Sequence, residues 1–485
     1  MIKKTAFFII VFLVMQAVHG QQLYKAGYRL QDEDGALFEG RLHGNGIVDL
    51  LVHQNRVYAA TGYGLNVTAD FGESWQTFYP RDYKGKGGIS AMGFMDDSTL
   101  WVASAFDTTV SDDNLPAGGG LSYTRDFGQT WQHIRQPVDS VNEVNYAPTT
   151  TNVQNLTYDI AFVDSTVWIA SFGGGLRRSD DMGQTWQVVT TDGLPFSSLN
   201  YLNHRVFSLL NVHDTLWVGT AGGISMSPDN GQSWTQFAHS ADDSSTLSGN
   251  FVVALAYQEQ TGMLWAATIQ ADSETELRAV SRTVDAGETW QRLLVDESLF
   301  AHNFAFDGRK VFVASDLGVY YSFDAGNTWK TSITDLQDFQ SGDEMFQDEF
   351  YSAAVQPDNG LPRLWLGGSD GLATTINYDF EDWQIIRSYV STEVRKDPEI
   401  YAYPTPFSPS RQQFIRFQFA ANKALDEPIE IYDFAMDKVT TVPVSGLKPK
   451  WDGTNSAGQI VASGVYFFRA QLNGQVTWGK IVIIN

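Results

Sequence analysis

The stretch Thr68-Ala69-Asp70-Phe71-Gly72-Glu73-Ser74-Trp75 decides the fold, because its pattern recurs along the whole chain. The pattern is Ser/Thr-x-Asp-x-Gly-x-Ser/Thr-Trp, and each copy follows a glycine–apolar pair, with Ala279-Val280 in its place before the copy at 283–290. Five further copies are nearly intact, at 124–131, 179–186, 227–234, 283–290 and 322–329. A seventh, degenerate copy begins at Thr375, where the glycine is missing and Trp383 comes one residue late. Such spacing is typical of a repeat architecture.

Each copy predicts the turn of a β-hairpin. The Ser/Thr ends one strand, and the Asp carboxylate accepts backbone N–H hydrogen bonds that close the turn. The Gly adopts a backbone conformation that other residues avoid, and the Trp buries a large apolar face as the next strand begins. We therefore expect structural rather than catalytic roles for the repeated side chains, which are Asp70, Asp126, Asp181, Asp229, Asp285, Asp324, Trp75, Trp131, Trp186, Trp234, Trp290 and Trp329.

Short strands repeat in step with these turns. One precedes each copy, as in Val57-Tyr58-Ala59 or Leu216-Trp217-Val218, and another apolar stretch lies upstream, as in Phe251-Val252-Val253-Ala254. Four strands in a repeat of about 50 residues are typical of one blade of a β-propeller. The sequence therefore predicts an all-β fold whose first domain is a seven-bladed β-propeller of four-stranded blades. We expect a strand from residues 22–44 or 384–390 to close the ring.

The turn motif resembles the Asp-box, or bacterial neuraminidase (BNR) repeat, over about residues 45–390. That family includes sialidases, xyloglucan-cleaving glycosidases, the sortilin luminal domain and photosystem assembly factors. The resemblance implies the sialidase-like propeller fold. It leaves the function open, since many members of the family have no enzymatic activity.

The composition changes after residue 390. Residues 391–400 read as a polar linker, and residues 401–485 contain short alternating strands that predict a small β-sandwich. The segments Tyr403-Pro404-x-Pro406-Phe407, Trp451-Asp452-Gly453-x-Asn455 and Ser463-Gly464-Val465-Tyr466 resemble the FlgD-type Ig-like domain and the sorting domains of the bacterial type IX secretion system. Two departures are Met436, where the family usually has glycine, and the terminal Asn485, where sorting domains often end in a basic residue. The resemblance implies that export machinery is a partner of this segment, for delivery or attachment.

The chain begins with Met1-Ile2-Lys3-Lys4, continues with an apolar run over 6–18 and then reads His19-Gly20. This order predicts a bacterial secretory signal peptide over residues 1–20 and a propeller over 21–390, in a secreted or cell-surface protein. No other segment is apolar for long enough to predict a membrane span. The net charge of −24 disfavours nucleic acid and anionic membranes as partners. There is no cysteine, and no metal-ligand spacing occurs, so we expect neither a metal nor a cofactor.

Insertions mark the candidate site. Two lengthen the link between second and third strands, near 105–119 and 270–278, and two lengthen connections between blades, near 137–155 and 333–349. In a propeller all four fall on one face, where inserted loops usually carry function. The acids and aromatics that we select there as ligand-binding candidates are Asp112, Asp113, Tyr146, Glu274, Glu276, Asp343 and Glu344. The alternative is that they are solvated loop side chains.

Several functions remain open. The leading hypothesis is a non-catalytic propeller that binds an extracellular glycan or protein with its insertion-bearing face. The alternative is a glycoside hydrolase of the xyloglucanase-like kind, which would need two facing carboxylates; such enzymes typically pair two propellers, and this chain predicts one. A third possibility is an assembly or scaffolding factor. A sialidase is disfavoured because the Arg-Ile-Pro segment typical of that subfamily is absent. Gly367-Gly368-Ser369-Asp370-Gly371 matches a nucleophile elbow, but a strand rather than a helix is predicted to follow it.

Overall fold

The computed structural model describes residues 40–111, 113–139, 150–296, 299–334, 336–338, 343–358, 360–388, 400–403, 405–409, 414–419, 425–443, 449–472 and 474–484. The described residues form two compact units, 40–388 and 400–484. The predicted signal peptide and residues 391–399 of the predicted linker lie outside the described residues, so both stay predictions.

The first unit is built almost entirely of antiparallel sheets. Its described residues contain seven four-stranded sheets, each formed by four consecutive strands in chain order. The strands of the first four sheets are β1 Ile47–His53, β2 Arg56–Thr61, β3 Gly64–Thr68, β4 Gln76–Phe78, β5 Gly88–Phe94, β6 Leu100–Val110, β7 Asp113–Thr124, β8 Gln132–Ile134, β9 Thr157–Val163, β10 Thr166–Ser171, β11 Gly175–Ser179, β12 Gln187–Val189, β13 Val206–Val212, β14 Thr215–Thr220, β15 Gly223–Ser227 and β16 Thr235–Phe237.

The last three sheets of this unit follow the same plan. Their strands are β17 Phe251–Gln258, β18 Met263–Ile269, β19 Ala279–Thr283, β20 Gln291–Leu293, β21 Ala301–Asp307, β22 Lys310–Ser315, β23 Gly318–Ser322, β24 Lys330–Ile333, β25 Phe350–Gln356, β26 Arg363–Gly368, β27 Gly371–Ile376 and β28 Gln384–Ile386. Helix is confined, among the described residues, to α1 Pro80–Tyr83 and a 3-10 turn at Leu202–His204.

The core lies between neighbouring sheets. The central residues of the second strands are buried on both faces and are mostly apolar, as in Val167-Trp168-Ile169 of β10, where Trp168 is 0% exposed. The fourth strands are short and partly exposed, as in Gln187–Val189. The apolar area removed from water at these sheet-to-sheet contacts is the main stabilising contribution of the unit.

First strands of successive sheets contact one another in the order β1, β5, β9, β13, β17, β21 and β25, and β25 contacts β1. The sheets therefore form a closed ring with the first strands innermost. Residues 384–386, one of the two segments expected to close the ring, form the outer strand β28 of the last sheet instead. The other segment, 22–44, lies mostly outside the described residues.

The repeated turns join the third and fourth strands. In the first copy the Asp70 carboxylate accepts hydrogen bonds from Ser74 N at 2.9 Å and from the Thr68 hydroxyl at 2.7 Å. Gly72 has a φ of +89°, a conformation that glycine favours. The other five intact copies repeat both Asp contacts, between Asp126, Asp181, Asp229, Asp285 or Asp324 and the residues two before and four after each of them.

The second unit consists of two antiparallel sheets packed on a common core. The strands are β29 Ile400–Tyr403, β30 Ile415–Phe419, β31 Ile429–Tyr432, β32 Lys438–Val442, β33 Lys450–Trp451, β34 Gly464–Leu472 and β35 Gln475–Ile483, in the sheet orders β29-β30-β33 and β32-β31-β34-β35. Phe417 packs edge-on against Phe468 across the two sheets, with ring centroids 5.1 Å apart. Met436, where the resembling family usually has glycine, has a φ of +66°.

None of the helices in the described part of the chain is long and apolar enough to cross a membrane.

Candidate functional site

The first strand of every sheet in the ring contains a β-bulge close to its beginning. At each bulge one residue has no partner on the neighbouring second strand, and these residues are Val48, Ser90, Tyr158, Phe207, Val253, His302 and Tyr351. A bulge bends its strand and re-aims the side chain of the extra residue. Because the first strands are innermost, seven bulges at one level surround the axis of the ring.

These bulges surround a cavity of about 140 Å³ at the ring axis. Every sheet of the ring contributes to its wall, and six of the seven bulged residues are part of it. The full lining is Asp49, Ser90, Tyr158, Asp159, Phe207, Ser208, Phe251, Val253, Ala254, Leu255, Phe300, His302, Asn303 and Tyr351. We call this cavity the channel mouth.

The channel mouth lies at the insertion-bearing end of the ring. The beginning of β1 pairs with the end of β2 (Ile47 with Thr61), and the end of β2 pairs with the beginning of β3 (Thr61 with Gly64). The bulged ends of the first strands, the links between second and third strands and the connections between sheets therefore share one end. The long β6–β7 hairpin and the 270–278 loop both extend from it.

Aromatic side chains form much of the wall. Phe207 lies between Tyr158 and Phe251, with ring centroids 5.2 and 4.5 Å away. On the other side His302 stacks on Phe300 at 4.8 Å and meets the edge of Tyr351 at 5.4 Å. Burial raises the pKa of Tyr158, so its hydroxyl stays protonated and can donate a hydrogen bond at neutral pH.

Polar residues that directly follow the bulges tie neighbouring sheets together. The Asp159 carboxylate accepts a hydrogen bond from Leu209 N of the next sheet at 2.7 Å. Ser352 Oγ accepts one from Leu50 N at 2.9 Å, across the junction of the last and first sheets. Ser208 occupies the same position in its own sheet. Its hydroxyl is buried and has no hydrogen-bond partner among the described residues.

A histidine–carboxylate pair borders the same cavity. His302 Nε2 lies 2.5 Å from Asp316 Oδ1, and both side chains are largely buried. The hydrogen bond fixes the orientation of the imidazole ring, which presents its face to Phe300 and is met by Tyr351.

The described residues among the sequence-predicted site residues lie outside the lining of the channel mouth, in different settings. Asp112 and Tyr146 lie outside the described residues. Asp113 is exposed at the tip of the β6–β7 hairpin, where it pairs with Val110. Glu274 is exposed in the 270–278 loop.

Glu276 stabilises its own loop. Its side chain is buried, and its carboxylate accepts hydrogen bonds from Ala271 N at 2.6 Å and from the Asn250 side chain at 3.0 Å. A carboxylate used in this way closes the 270–278 insertion and anchors it to the beginning of β17.

Asp343 and Glu344 belong to a network around Arg387. The guanidinium pairs with Asp343 at 2.6 Å and with Asp370 at 2.8 Å, and it donates to the Glu344 carbonyl oxygen. It also lies over the Phe346 ring, 4.4 Å from the centroid. The network fastens the connection that precedes β25 to residues that follow β28. Ser369, the central residue of the elbow-like motif, lies in the tight turn between β26 and β27.

A similar ion pair holds the connection before β9. Asp139 and Arg177 lie 2.8 Å apart, with side chains only 3% and 4% exposed. Burial alone would raise the pKa of Asp139, but hydrogen bonds from Arg177 and Thr150 N outweigh it and hold the pKa below its usual value.

The aromatic wall of the channel mouth was missed by sequence reasoning, which selected loop acids. Tyr158, Phe207 and Tyr351 share one position, the second residue of a first strand, at which an aromatic side chain recurs in three of the sheets. That recurrence was the available signal. Aromatic residues in strands are usually core residues, however, and no pattern of residue types marks a bulge.

Comparisons with known proteins rest on structure alone, because neither a family profile nor a curated protein sequence matches the chain. PorZ, a surface component of the type IX secretion system of Porphyromonas gingivalis, is 17% identical with a TM-score of 0.47; the match covers 93% of this chain. The chain spans 61% of the length of PorZ. The GH74 enzyme of Niastella koreensis is 15% identical with a TM-score of 0.50, over 92% of this chain and 75% of the enzyme.

The WD40 β-propeller domain of Doa1 is also similar, at 13% identity and a TM-score of 0.43, over 70% of this chain and 95% of the domain. Taken with the ring of four-stranded sheets, the likeness to the GH74 enzyme shows that this chain is an all-β protein with a β-propeller fold. At 15% identity that likeness shows the fold alone.

Proposed function

We propose that this protein is an exported, non-catalytic Asp-box propeller that binds an extracellular glycan or protein at the channel mouth. One observation carries the proposal. A cavity lined by residues of all seven sheets, with an aromatic wall, opens at the end of the ring that bears the insertions. Concave sites with aromatic walls and a few polar groups are typical ligand sites.

The finer architecture belongs to the same proposal. The seven sheets are seven blades, and the two sheets of the second unit are an Ig-like module of the FlgD or type IX sorting kind. Residues 1–20 are a signal peptide, and the Ig-like module engages export machinery, so the protein is secreted or remains at the cell surface. The closed order of contacts among first strands supports the seven blades, and the two-sheet core of residues 400–484 supports the Ig-like module.

The non-catalytic part of the proposal is supported by three of the described insertion acids, which are already engaged, whereas Asp113 and Glu274 are exposed and do not bear on it. Asp139, Glu276 and Asp343 each accept hydrogen bonds or form ion pairs that fasten their own connections. A glycosidase needs one carboxylic acid and one base or nucleophile directed at the same glycosidic bond. Carboxylates already bonded to buried guanidinium or backbone N–H groups are poorly suited to that chemistry.

The test is to fill the channel mouth without disturbing the ring. Val253 occupies the bulge position at which other sheets carry Tyr158, Phe207 and Tyr351, so Val253→Tyr should be tolerated there. Val284→Tyr is the matched control, because Val284 is an exposed residue of the repeated turn at 283–290, at the other end of the ring. Both variants and the parent would be assayed against glycan and peptide arrays and for hydrolysis of xyloglucan and β-glucans.

We expect at least one glycan or peptide ligand whose binding is lost in Val253→Tyr and kept in Val284→Tyr, with no hydrolysis by any variant. Hydrolysis by the parent that Val253→Tyr abolishes would replace the proposal with the glycosidase alternative. Ligand binding that both variants retain equally would place the site away from the channel mouth.

A further inference from the structure

We propose that the second unit pairs with a second copy of this chain along the outer edge of β35. The proposal goes beyond the proposed function, because it concerns a strand of the second unit and holds whatever the channel mouth binds. It rests on the open backbone groups of β35, on the length of the strand and on a register in which the strand is complementary to itself.

β35 is an edge strand that is engaged only near its end by described residues outside its hairpin. On one side it pairs with β34 along its whole length, without a register shift. On the other side Val482 O accepts a hydrogen bond from Phe407 N at 2.8 Å, and Val482 N donates to Thr405 Oγ1 at 3.0 Å. The backbone groups of Val482 therefore point away from β34.

Three earlier residues of β35 present open backbone groups on the same side. Successive residues of an antiparallel strand direct their backbone groups to alternate sides, so Val476, Trp478 and Lys480 point the same way as Val482. Within the described part of the chain, no residue pairs with their N–H and C=O groups on that side. The edge therefore offers three N–H donors and three C=O acceptors to another strand.

The length of this edge is unusual for the protein. The outer strands of the ring have three or four residues each, whereas β35 has nine. The opposite edge of the same sheet, β32, has five residues and is partly covered, since Val439 O accepts from Ser456 N at 3.1 Å. Proteins usually shorten or cover their edges, because a long open edge is a template for pairing with another chain.

The side chains of the open stretch permit such pairing. Val476 and Trp478 are 48% and 45% exposed, and residues 475–483 contain no proline and a single charged residue, Lys480. The Trp478 ring lies back over its own sheet, with its centroid 5.4 Å from that of Tyr432. Tyr432 belongs to β31, which lies on the side of β34 away from the edge, so the indole leaves the open backbone groups accessible.

The stretch is complementary to itself about a two-fold axis through Trp478. In an antiparallel pair centred there, Trp478 lies opposite Trp478 of the second copy, and Val476 lies opposite Lys480 of the second copy. Residues that face each other in this setting exchange both backbone hydrogen bonds, so the three pairs form about six bonds. The two lysines are kept apart, and the two tryptophans meet across the axis, as in an isologous dimer.

Charge also favours a second copy at this edge. Residues 400–485 contain eight Lys and Arg against six Asp and Glu, although the whole chain has a net charge of −24. The excess negative charge therefore belongs to residues before 400, and two second units can approach without strong repulsion. Repulsion between the rings is screened beyond about 8 Å at physiological salt.

Sedimentation equilibrium of residues 21–485, the chain without its predicted signal peptide, tests the pairing at physiological salt. One strand edge buries less area than a standard interface, which removes about 1,600 Å² from solvent, so we expect a weak and reversible dimer with a Kd of about 100 µM. The average mass should rise from that of one chain at about 10 µM towards that of two chains at about 500 µM.

Two variants of Val476 test the backbone bonds. Val476→Pro removes an N–H that points away from β34, at an edge position where proline is tolerated. We expect it to weaken association at least about tenfold, because the bond is lost in both copies. Val476→Thr is the matched control, since it keeps the N–H and the branched side chain, and it should change the Kd by less than about twofold. Thermal unfolding of both variants verifies that the second unit is folded.

Two variants of Trp478 test the register. Because Trp478 meets its own copy at the axis, Trp478→Lys alone and Trp478→Glu alone each place like charges opposite each other, and we expect both to stay monomeric. An equimolar mixture of the two variants should recover association, because opposite charges then meet. A strand of a different protein at this edge would not produce that recovery.

A mass of one chain at every concentration would overturn the proposal, and so would equal Kd values for Val476→Pro and Val476→Thr. A mixture of Trp478→Lys and Trp478→Glu that stays as monomeric as either variant alone would also overturn it, because the strands would then not meet about Trp478.

Discussion

At the residue scale, the glycine of each intact turn is matched to a large side chain of the preceding sheet. A Cβ built at Gly231 would lie 2.6 Å from Trp168, and one built at Gly326 would lie 2.5 Å from Trp265. The turn tryptophans complete the contact edge-on, as between Trp234 and Trp168 with centroids 6.2 Å apart. Glycine is therefore required for two reasons: its φ is positive, and a side chain at this position would clash with the preceding sheet.

In the degenerate copy Asp379 stands at the glycine position. The preceding residue, Tyr378, stacks on Phe312 of the preceding sheet with ring centroids 5.0 Å apart. Its hydroxyl donates to the Asp307 carboxylate at 2.7 Å.

We predict that Gly231→Ala destabilises the first unit much more than Gly193→Ala. Both glycines have positive φ, at +86° and +73°, so both substitutions introduce about 1 kcal/mol of backbone strain. Only Gly231 meets a neighbour, since nothing lies within 4 Å of a Cβ at Gly193. We expect a further 1–3 kcal/mol, roughly, from overpacking against Trp168.

Urea unfolding followed by tryptophan fluorescence measures the difference between these two variants. Equal losses in stability would show that the preceding sheet yields to the added methyl group and that the fit between turn and tryptophan is loose.

At the element scale, the sequence predicted the turns and strands well because each has a local chemical cause. Asp70 closes its turn with neighbours two and four residues away, so the pattern of residue types reports the contact directly. The bulges and the bonds that they allow between sheets could not be predicted in this way. Asp159 and Leu209 are 50 residues apart, and an aspartate in a strand does not reveal which backbone N–H it will meet.

The same limitation applies to the insertion acids. Glu274 and Glu276 are two residues apart in one polar loop, yet Glu274 is exposed and Glu276 is 5% exposed and bonded to its own loop. Sequence identifies a carboxylate in an insertion, but the loop conformation decides whether it meets a ligand or a backbone N–H.

Acid stability should depend on the repeated turns. Hydrogen bonds from the side chain and backbone N–H of the following Ser/Thr lower the pKa of Asp229 to about 2, and similar bonds lower those of Asp181, Asp285 and Asp324 to about 2. The unfolded value is about 3.9. The stabilisation is therefore fully present above pH 4, roughly, and is lost as the pH falls towards 2.

Urea midpoints between pH 6 and pH 2 measure this effect, and Asp229→Asn is the matched variant. The amide oxygen can still accept from Ser233 N but cannot titrate, so the variant should start less stable and lose less stability on acidification. Parallel pH curves for the variant and the parent would contradict the assignment.

The buried pair Asp139–Arg177 gives a third prediction. Removing one partner leaves a buried charge uncompensated, so Asp139→Leu should destabilise by about 3 kcal/mol. Adding Arg177→Met in the same chain removes the unpaired charge and should restore a large part of that loss. A double-mutant cycle by urea unfolding measures the coupling, and independent, additive effects would show that the connection before β9 is held by other contacts.

At the scale of the whole molecule, the two units have separate cores. The core of residues 400–484 consists only of side chains of that unit, and the cores of the ring consist only of residues between 42 and 383. Units with their own cores can fold alone. Sequence reasoning placed a domain boundary near residue 390 because composition and strand spacing change there, and that boundary stays a prediction.

We predict that residues 21–390, expressed without the C-terminal segment, unfold with the same midpoint as the ring in the full chain. Scanning calorimetry of the full chain should show two transitions, of which the truncated chain retains the one with the larger enthalpy, because enthalpy scales with the number of residues. A single transition that truncation moves to a lower temperature would show that the units depend on each other.

Each turn of the ring packs on the neighbouring sheet on the same side, which for every turn but the first is the sheet that precedes it in the chain. The turn of the first sheet packs on the last sheet instead. Its Trp75 meets Trp365, with ring centroids 6.3 Å apart. A ribosome supplies the partner of every other turn before the turn itself, but it supplies Trp365 nearly 300 residues after Trp75. The turn of the first sheet therefore lacks its packing partner until synthesis is almost complete. We therefore expect the ring to close only after its last sheet has been synthesised.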